Sequence, residues 1–161
     1  MSVAVKICGL NDAKSVAAAV AGGAAFVGFV FFPASPRYVD PETAARLGAD
    51  VPKTIVKVGL VVDADDTTIG RIIERARIDM LQLHGAETPA RAAEIRARFK
   101  LPVMKAIPVE TATDVDRARD FEPVADRLMF DARPPKDATR PGGNALPFDW
   151  ALLKGRAPAK P

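Results

Sequence analysis

Short, almost uninterrupted apolar runs alternate along the chain with amphipathic stretches, and polar turns separate the two. Val3–Cys8 is the first strand candidate, followed by a helix with Asn11 as its expected cap and Val16, Ala19 and Val20 on one face. Gly22-Gly23 ends that helix in a left-handed turn. Ala25–Phe32 is a nearly continuous hydrophobic strand. Asp40-Pro41-Glu42 then opens a helix with Asp at the cap, Pro at the first helical position and acid in the first turn. Thr54–Val62 is the third strand, and Ile69, Ile72, Ile73 and Ala76 follow at i, i+3, i+4 and i+7. Met80–His84 is the fourth strand, and Thr88-Pro89 opens a helix carrying Ile95 and Phe99. Pro102–Ile107 is the fifth, before a helix from Thr113 that carries Val115 and Ala118. Arg127–Asp131 is the sixth. A Pro/Gly-rich segment leads to Phe148–Leu153, which begins one more helix.

Strands that are apolar throughout and separated by helices imply a parallel sheet covered by those helices. The unit repeats at roughly 25 residues, without a Gly-rich dinucleotide fingerprint, which favours a (β/α)8 barrel over a doubly wound sheet. By this count about six of the eight βα units are present in a single domain over residues 1–161. Six strands of an architecture built for eight should not close without distortion. The expectation is an open sheet where units seven and eight would stand, with unpaired edges at Val3–Cys8 and Arg127–Asp131. Such edges, flanked by apolar surface, favour self-association.

Composition narrows the picture. With 48% hydrophobic and 27% charged residues among 161, the chain is an ordinary globular sequence. Ala24–Pro33, its longest apolar stretch, is too short to span a bilayer. Met1–Gly9 lacks the pattern of a signal peptide, and the single cysteine, Cys8, excludes an internal disulfide, so the expected location is the cytoplasm. The net charge of +3 comes from 23 basic against 20 acidic residues, interspersed, with one Trp and one Tyr. Nucleic-acid binding is not expected from that pattern. A small anionic substrate suits it well.

In a (β/α)8 barrel the active site lies at the C-terminal ends of the strands. Strand one ends Lys6-Ile7-Cys8-Gly9, strand four ends Gln82-Leu83-His84-Gly85 and strand six ends Phe130-Asp131. Cys8 reads either as a small buried hydrophobe or as a reactive thiol at a strand mouth. Lys6 shares its face by period two, with a packed stem and paired ammonium as the bland alternative. Asp131 caps the next turn or does chemistry, and spacing alone leaves these even. His84, the only histidine, excludes a multi-histidine metal site; it is otherwise a hydrogen-bonded, partly buried ring, with Gln82 on its face. Arg37, in the loop after Pro36, is either a solvated loop residue or a bidentate carboxylate clamp. Ala132–Pro147 is long for a βα connection, and Gly142-Gly143-Asn144 within it is a weak candidate for an anion-binding nest.

The motifs KICG, FVFFPASPRYVDPE, VGLVV, LQLHG, LMFDA and PGGNALPFDW, in this order along essentially the whole chain, closely resemble the phosphoribosylanthranilate isomerase family. The resemblance implies an Amadori rearrangement of N-(5-phosphoribosyl)anthranilate in tryptophan biosynthesis, with no cofactor and no metal. It further implies that Cys8 is the general base, Asp131 the general acid and Arg37 the group meeting the anthranilate carboxylate. Lys6, Gln82 and His84 complete the expected substrate-binding set. The implied partner is a small sugar phosphate bearing anthranilate, with no nucleic acid and no membrane. Two departures stand out: Ala145 occupies a position that is usually glycine in the family, and the Gly-Gly-Leu and Ser-Ser-Gly turns expected to grip the phosphate do not occur before Pro161. A non-catalytic module of the same fold, lacking that phosphate site, is the alternative from another class.

Overall fold

The computed structural model describes residues 3–135, 137–138, 140–144, 146–156 and 160–161. It comprises two compact units, Met1–Leu81 and Gln82–Pro161. Among the described residues, no helix is long and apolar enough to cross a membrane.

The first unit runs β1 (Lys6–Cys8), α1 (Ala13–Ala21), β2 (Phe26–Val30), α2 (Pro41–Leu47), β3 (Val56–Val61) and α3 (Asp66–Ala76). Its strands pair in parallel, with Cys8 opposite Gly28 and Gly28 opposite Val58. Every residue of β2 is buried, as its unbroken apolar sequence requires of a strand covered on both faces. β1 is shorter than the apolar run Val3–Cys8. The N–H groups of Ala25 and Phe26 both converge on Val5 O, at 2.9 and 3.1 Å, and the regular ladder starts beyond them. Val3, Val5 and Ile7 are exposed.

Three aspartates start the three helices, because an anionic oxygen satisfies orphan N–H groups and complements the helix dipole. Asp40 accepts from Thr43 N and Asp65 from Thr68 N, each at 2.7 Å. The cap of α1 is Asp12 rather than the expected Asn11; its carboxylate takes both the N–H and the hydroxyl of Ser15. Those bonds hold its carboxyl below the ordinary value. The left-handed residue after α1 is Gly23, at φ +74°, while Gly22 at φ −74° is still right-handed. α3 buries Ile69, Ile72 and Ala76, the apolar stripe read from the sequence.

β4 (Met80–Leu83) spans the junction of the two units. The second unit continues with α4 (Pro89–Phe99), β5 (Val103–Val109), α5 (Ala112–Asp116) and β6 (Arg127–Ala132). β5 and β6 are parallel, with Pro108 opposite Asp131. Within each unit the strands follow chain order without reversal, the pattern of successive right-handed βα steps rather than of a doubly wound sheet. β5 extends past Ile107 to Val109 because Pro108, the one exposed residue of the strand, interrupts it without ending it.

α5 begins at Ala112 and tightens into a 3-10 turn at Arg117–Phe121, so the expected helix is shorter than its apolar pattern suggests. Phe148–Leu153 likewise yields only a 3-10 turn, Trp150–Leu153. These segments cover Ile107, Val109, Val115 and Ala118, against which Phe121, Leu128, Phe130, Phe148, Leu152 and Leu153 pack. At the other end of β5, Asp126 accepts Arg96 Nε at 3.1 Å, Arg96 Nη2 at 2.8 Å and Val103 N at 2.9 Å. One carboxylate thus ties α4, β5 and the start of β6 together. The expected bare edge of β6 is met at one position, where Leu128 N donates to Pro161 O at 3.1 Å.

Asp114 is the buried carboxylate that shapes α5. Burial alone would raise its carboxyl, but the N–H and hydroxyl of Thr111, the N–H of Glu110 and the Arg133 charge outweigh that and hold it below the ordinary value. A lowered folded value means that the unfolded chain binds more protons in acid. The stabilisation is present above the ordinary carboxylate range and is lost as pH falls through the lower folded value. Asp114→Asn is expected to lower melting temperature at neutral pH and to reduce its decline below about pH 4. Melting curves across pH check this; a variant whose acid decline parallels the wild type would contradict it.

Candidate active site

In the first unit, the β1–β2 register creates room for one thiol. A β-carbon added at Gly28 would lie 2.9 Å from Cys8 Sγ and 3.2 Å from Cys8 Cα, so only glycine opposite Cys8 leaves its side chain in place. The next residue, Gly9, has φ +80° and accepts a guanidinium stacked directly over it: an added β-carbon would meet Arg37 Cδ at 2.5 Å. Arg37 Nη1 reaches Cys8 O at 3.4 Å, and the Arg37 N–H donates to Ser35 Oγ at 3.2 Å. Ser35 is buried, and Val39 N returns to Val30 O, so the loop after β2 folds back on its own strand and delivers Arg37 to the end of β1. Lys6, half-buried, lies two residues before Cys8 on β1.

The second unit holds a polar relay. Gln82 Nε2 stands 3.0 Å from His84 Nδ1, and His84 Nε2 stands 3.2 Å from Asp131 Oδ2. Asp131 Oδ1 accepts the N–H of Ala132 at 2.9 Å. With the amide NH2 donating to Nδ1, the ring is the neutral Nε2–H tautomer and donates to the carboxylate. Gln82 is completely buried, so its amide supports the imidazole from behind. The side chains of His84 and Asp131 retain 12% and 34% exposure, which leaves the carboxyl the accessible end of the relay. Gly142 backs onto this pair: a β-carbon there would lie 2.6 Å from both Asp131 Oδ2 and His84 Nε2.

The second unit holds two further polar clusters. Lys105 and Glu87 form a buried ion pair at 2.9 Å beneath the turn that carries His84. Beyond β6, Arg133 joins Asp114 and Glu110 beside a cleft of about 480 Å³ lined by Val109, Ala132, Pro134, Leu146 and Phe148 among others. Neither cluster stands out in the sequence. The one signal for the first is a lysine inside the apolar run Val-Met-Lys-Ala-Ile.

The family model for N-(5'phosphoribosyl)anthranilate (PRA) isomerase matches residues 5–160. The chain belongs to the PRA isomerase family. It is 56% identical over its full length to the N-(5'-phosphoribosyl)anthranilate isomerase of Paracoccus denitrificans (strain Pd 1222), of which it covers 75%. It is also 56% identical to that of Nitrobacter hamburgensis, with 100% of this chain and 72% of the relative aligned. Among solved structures it is similar to the phosphoribosyl anthranilate isomerase of Thermotoga maritima, with a TM-score of 0.82 and 32% identity over 94% of this chain and 70% of that one. Another such isomerase, crystallised with reduced 1-(o-carboxyphenylamino)-1-deoxyribulose 5-phosphate, gives a TM-score of 0.80 and 29% identity, over 96% and 70% of the two chains.

In this chain the expected site residues fall into two groups, Cys8 with Arg37 and Lys6 in one unit and Gln82, His84 and Asp131 in the other. Of the expected nest, Gly143 has φ +69°, and the carbonyl of Gly143 takes a bond from Arg140 Nη2 at 3.2 Å. Ala145 lies outside the described residues. The crowding at position 28 is open to test. Gly28→Ala should force β1 and β2 apart at Cys8 and destabilise the protein by about 1–3 kcal/mol. Urea unfolding measures this, and a variant as stable as the wild type would show that the slot is not tight.

Proposed function

We propose that this member of the family acts on N-(5-phosphoribosyl)anthranilate on the scaffold of a (β/α)8 barrel in the cytoplasm, with Cys8 as base and Asp131 as acid. Isomerase function in tryptophan biosynthesis follows from the family. The observation that carries the assignment of roles is the relay ending at Asp131, a carboxyl with a fixed proton partner and an exposed face.

The chemistry requires no net oxidant. Protonation of the ribose ring oxygen by Asp131 lets the C1′–O bond break as the anthranilate nitrogen forms a protonated imine with C1′. The imine makes the C2′ proton acidic, and the Cys8 thiolate removes it to give an enolamine. Protonation at C1′ and release of the 2′-hydroxyl proton complete the aminoketone, so C1′ is reduced as C2′ is oxidised. Asp131 must alternate between acid and carboxylate during this cycle. The His84 ring, held at Nδ1 by the Gln82 amide, presents Nε2 to the carboxylate and steadies its ionised form. Gln82 therefore acts through His84 rather than on the substrate.

Arg37 is held at Cys8 O and stays exposed, which suits a fork for the anthranilate carboxylate. Lys6 supplies positive charge on the same strand for an anionic ligand. A non-catalytic module is the less favoured reading, since the relatives that align along the whole chain are isomerases.

Cys8→Ser and Asp131→Asn are each expected to lower kcat by ~10²-fold or more while leaving the fold intact. Steady-state kinetics with far-UV circular dichroism decide this, and a Cys8→Ser enzyme that keeps most of its kcat would remove Cys8 as the base. Arg37→Lys is expected to weaken anthranilate-bearing ligands more than simple ribose phosphates, because lysine lacks the bidentate fork. Equal losses in titrations with both ligand types would assign Arg37 to another part of the substrate.

A further inference from the structure

Lys105 and Glu87 are each only 3% exposed in their side chains, and every proton of the Lys105 ammonium has an acceptor. Gly85 O lies at 2.7 Å, Glu87 Oε2 at 2.9 Å and Leu83 O at 3.3 Å. The same Glu87 oxygen accepts the Gly85 N–H at 2.9 Å. The Phe121 ring stands 5.7 Å from the ammonium and helps to close it from water.

These bonds have a particular distribution. Both polar groups of the Gly85 backbone are taken, and so is the carbonyl of Leu83. His84 is the residue between them. β4 ends at Leu83, so the sheet ladder does not extend to the turn that carries the ring. The ion pair supplies partners for the Gly85 backbone just beyond that strand end. A buried pair is seldom the best way to stabilise a core, since apolar residues of similar volume often do as well. Its value here lies in where it holds the chain.

We propose that Lys105 and Glu87 are positioning residues for the isomerase reaction: they lock the Leu83–Gly85 turn so that His84 meets Asp131 as its proton partner. The inference rests on the reading of Asp131 as the acid. It differs from a purely structural role in one respect, because the state of the imidazole must depend on the pair. His84 is the only histidine, so histidine-specific 15N labelling gives a single ring whose spectrum reports its tautomer directly.

The test replaces the pair together, as Lys105→Met with Glu87→Leu, so that no lone charge remains buried. Melting should stay near that of the wild type. The ring should lose its preference for the Nε2–H tautomer, and kcat should fall about 10-fold or more, while KM changes less than about 3-fold. Glu87→Gln keeps an acceptor for Gly85 N and Lys105, and should retain the wild-type ring spectrum and most of kcat. A folded double variant with the wild-type tautomer and wild-type kcat would overturn the proposal. If the double variant does not fold, Glu87→Ala takes its place, since it frees the Gly85 N–H but leaves two carbonyls on Lys105. An unchanged ring spectrum and kcat in that variant would overturn the proposal equally. Undiminished kcat in Asp131→Asn would instead remove the acid role, and the ring spectrum would still show whether the pair positions His84.

Discussion

A buried ammonium that cannot reach water must find three acceptors inside the protein, and Lys105 finds them at the end of β4 and in the turn beyond it. That requirement organises much of the second unit. It selects a carboxylate at Glu87 as the counter-charge, orients two carbonyls on either side of His84, and brings the aromatic face of Phe121 toward the ammonium from the 3-10 turn after α5. Removing either charge would leave the other unpaired in a low-dielectric setting, so the two residues are coupled more tightly than their separation in sequence suggests.

The first unit solves a different problem with absence of side chain rather than presence of charge. Cys8 occupies a slot opposite Gly28, and Arg37 lies over Gly9. Two glycines therefore set the positions of a thiol and a guanidinium. The loop between β2 and α2 has its own internal bonds, from Ser35 to Phe32 and from Val39 to Val30, which explains how a guanidinium on an exposed loop arrives at a defined place.

Much of this is legible in the residues. The six strands and their helices follow from apolar runs, Pro at the starts of α2 and α4, and the aspartate and threonine caps. The cap of α1 lies one residue beyond the expected position because Asn11 and Asp12 are both good caps, and only the bond to Ser15 separates them. The C-terminal helix shrinks to a single turn because an apolar pattern at Phe148–Leu153 cannot show that a 3-10 turn suffices to cover Val109 and Val115. At the site, the strand-end rule singles out Cys8, His84 and Asp131, but the bond between the last two crosses 47 positions of sequence and has no local signature. Glu87 and Lys105 look like a loop acid and a strand lysine; their pairing exists only in three dimensions.

The helix ends carry a consequence of another kind. α3 and α4 close on Arg77 and Lys100, both in left-handed conformations that glycine normally fills, and their last turns hold Arg75, Arg96 and Arg98. Cationic side chains there face the negative ends of the helix dipoles, which offsets part of the backbone cost. The strands depend on charge far less, chiefly through the Arg96–Asp126 pair at the starts of β5 and β6, since most of their stability comes from burial. Ionic strength therefore acts unevenly on this chain: at the roughly 8 Å screening length of physiological salt the charged helix ends are already partly shielded, and concentrated electrolyte would loosen the peripheries of α3 and α4 while leaving the apolar ladder beneath them in place.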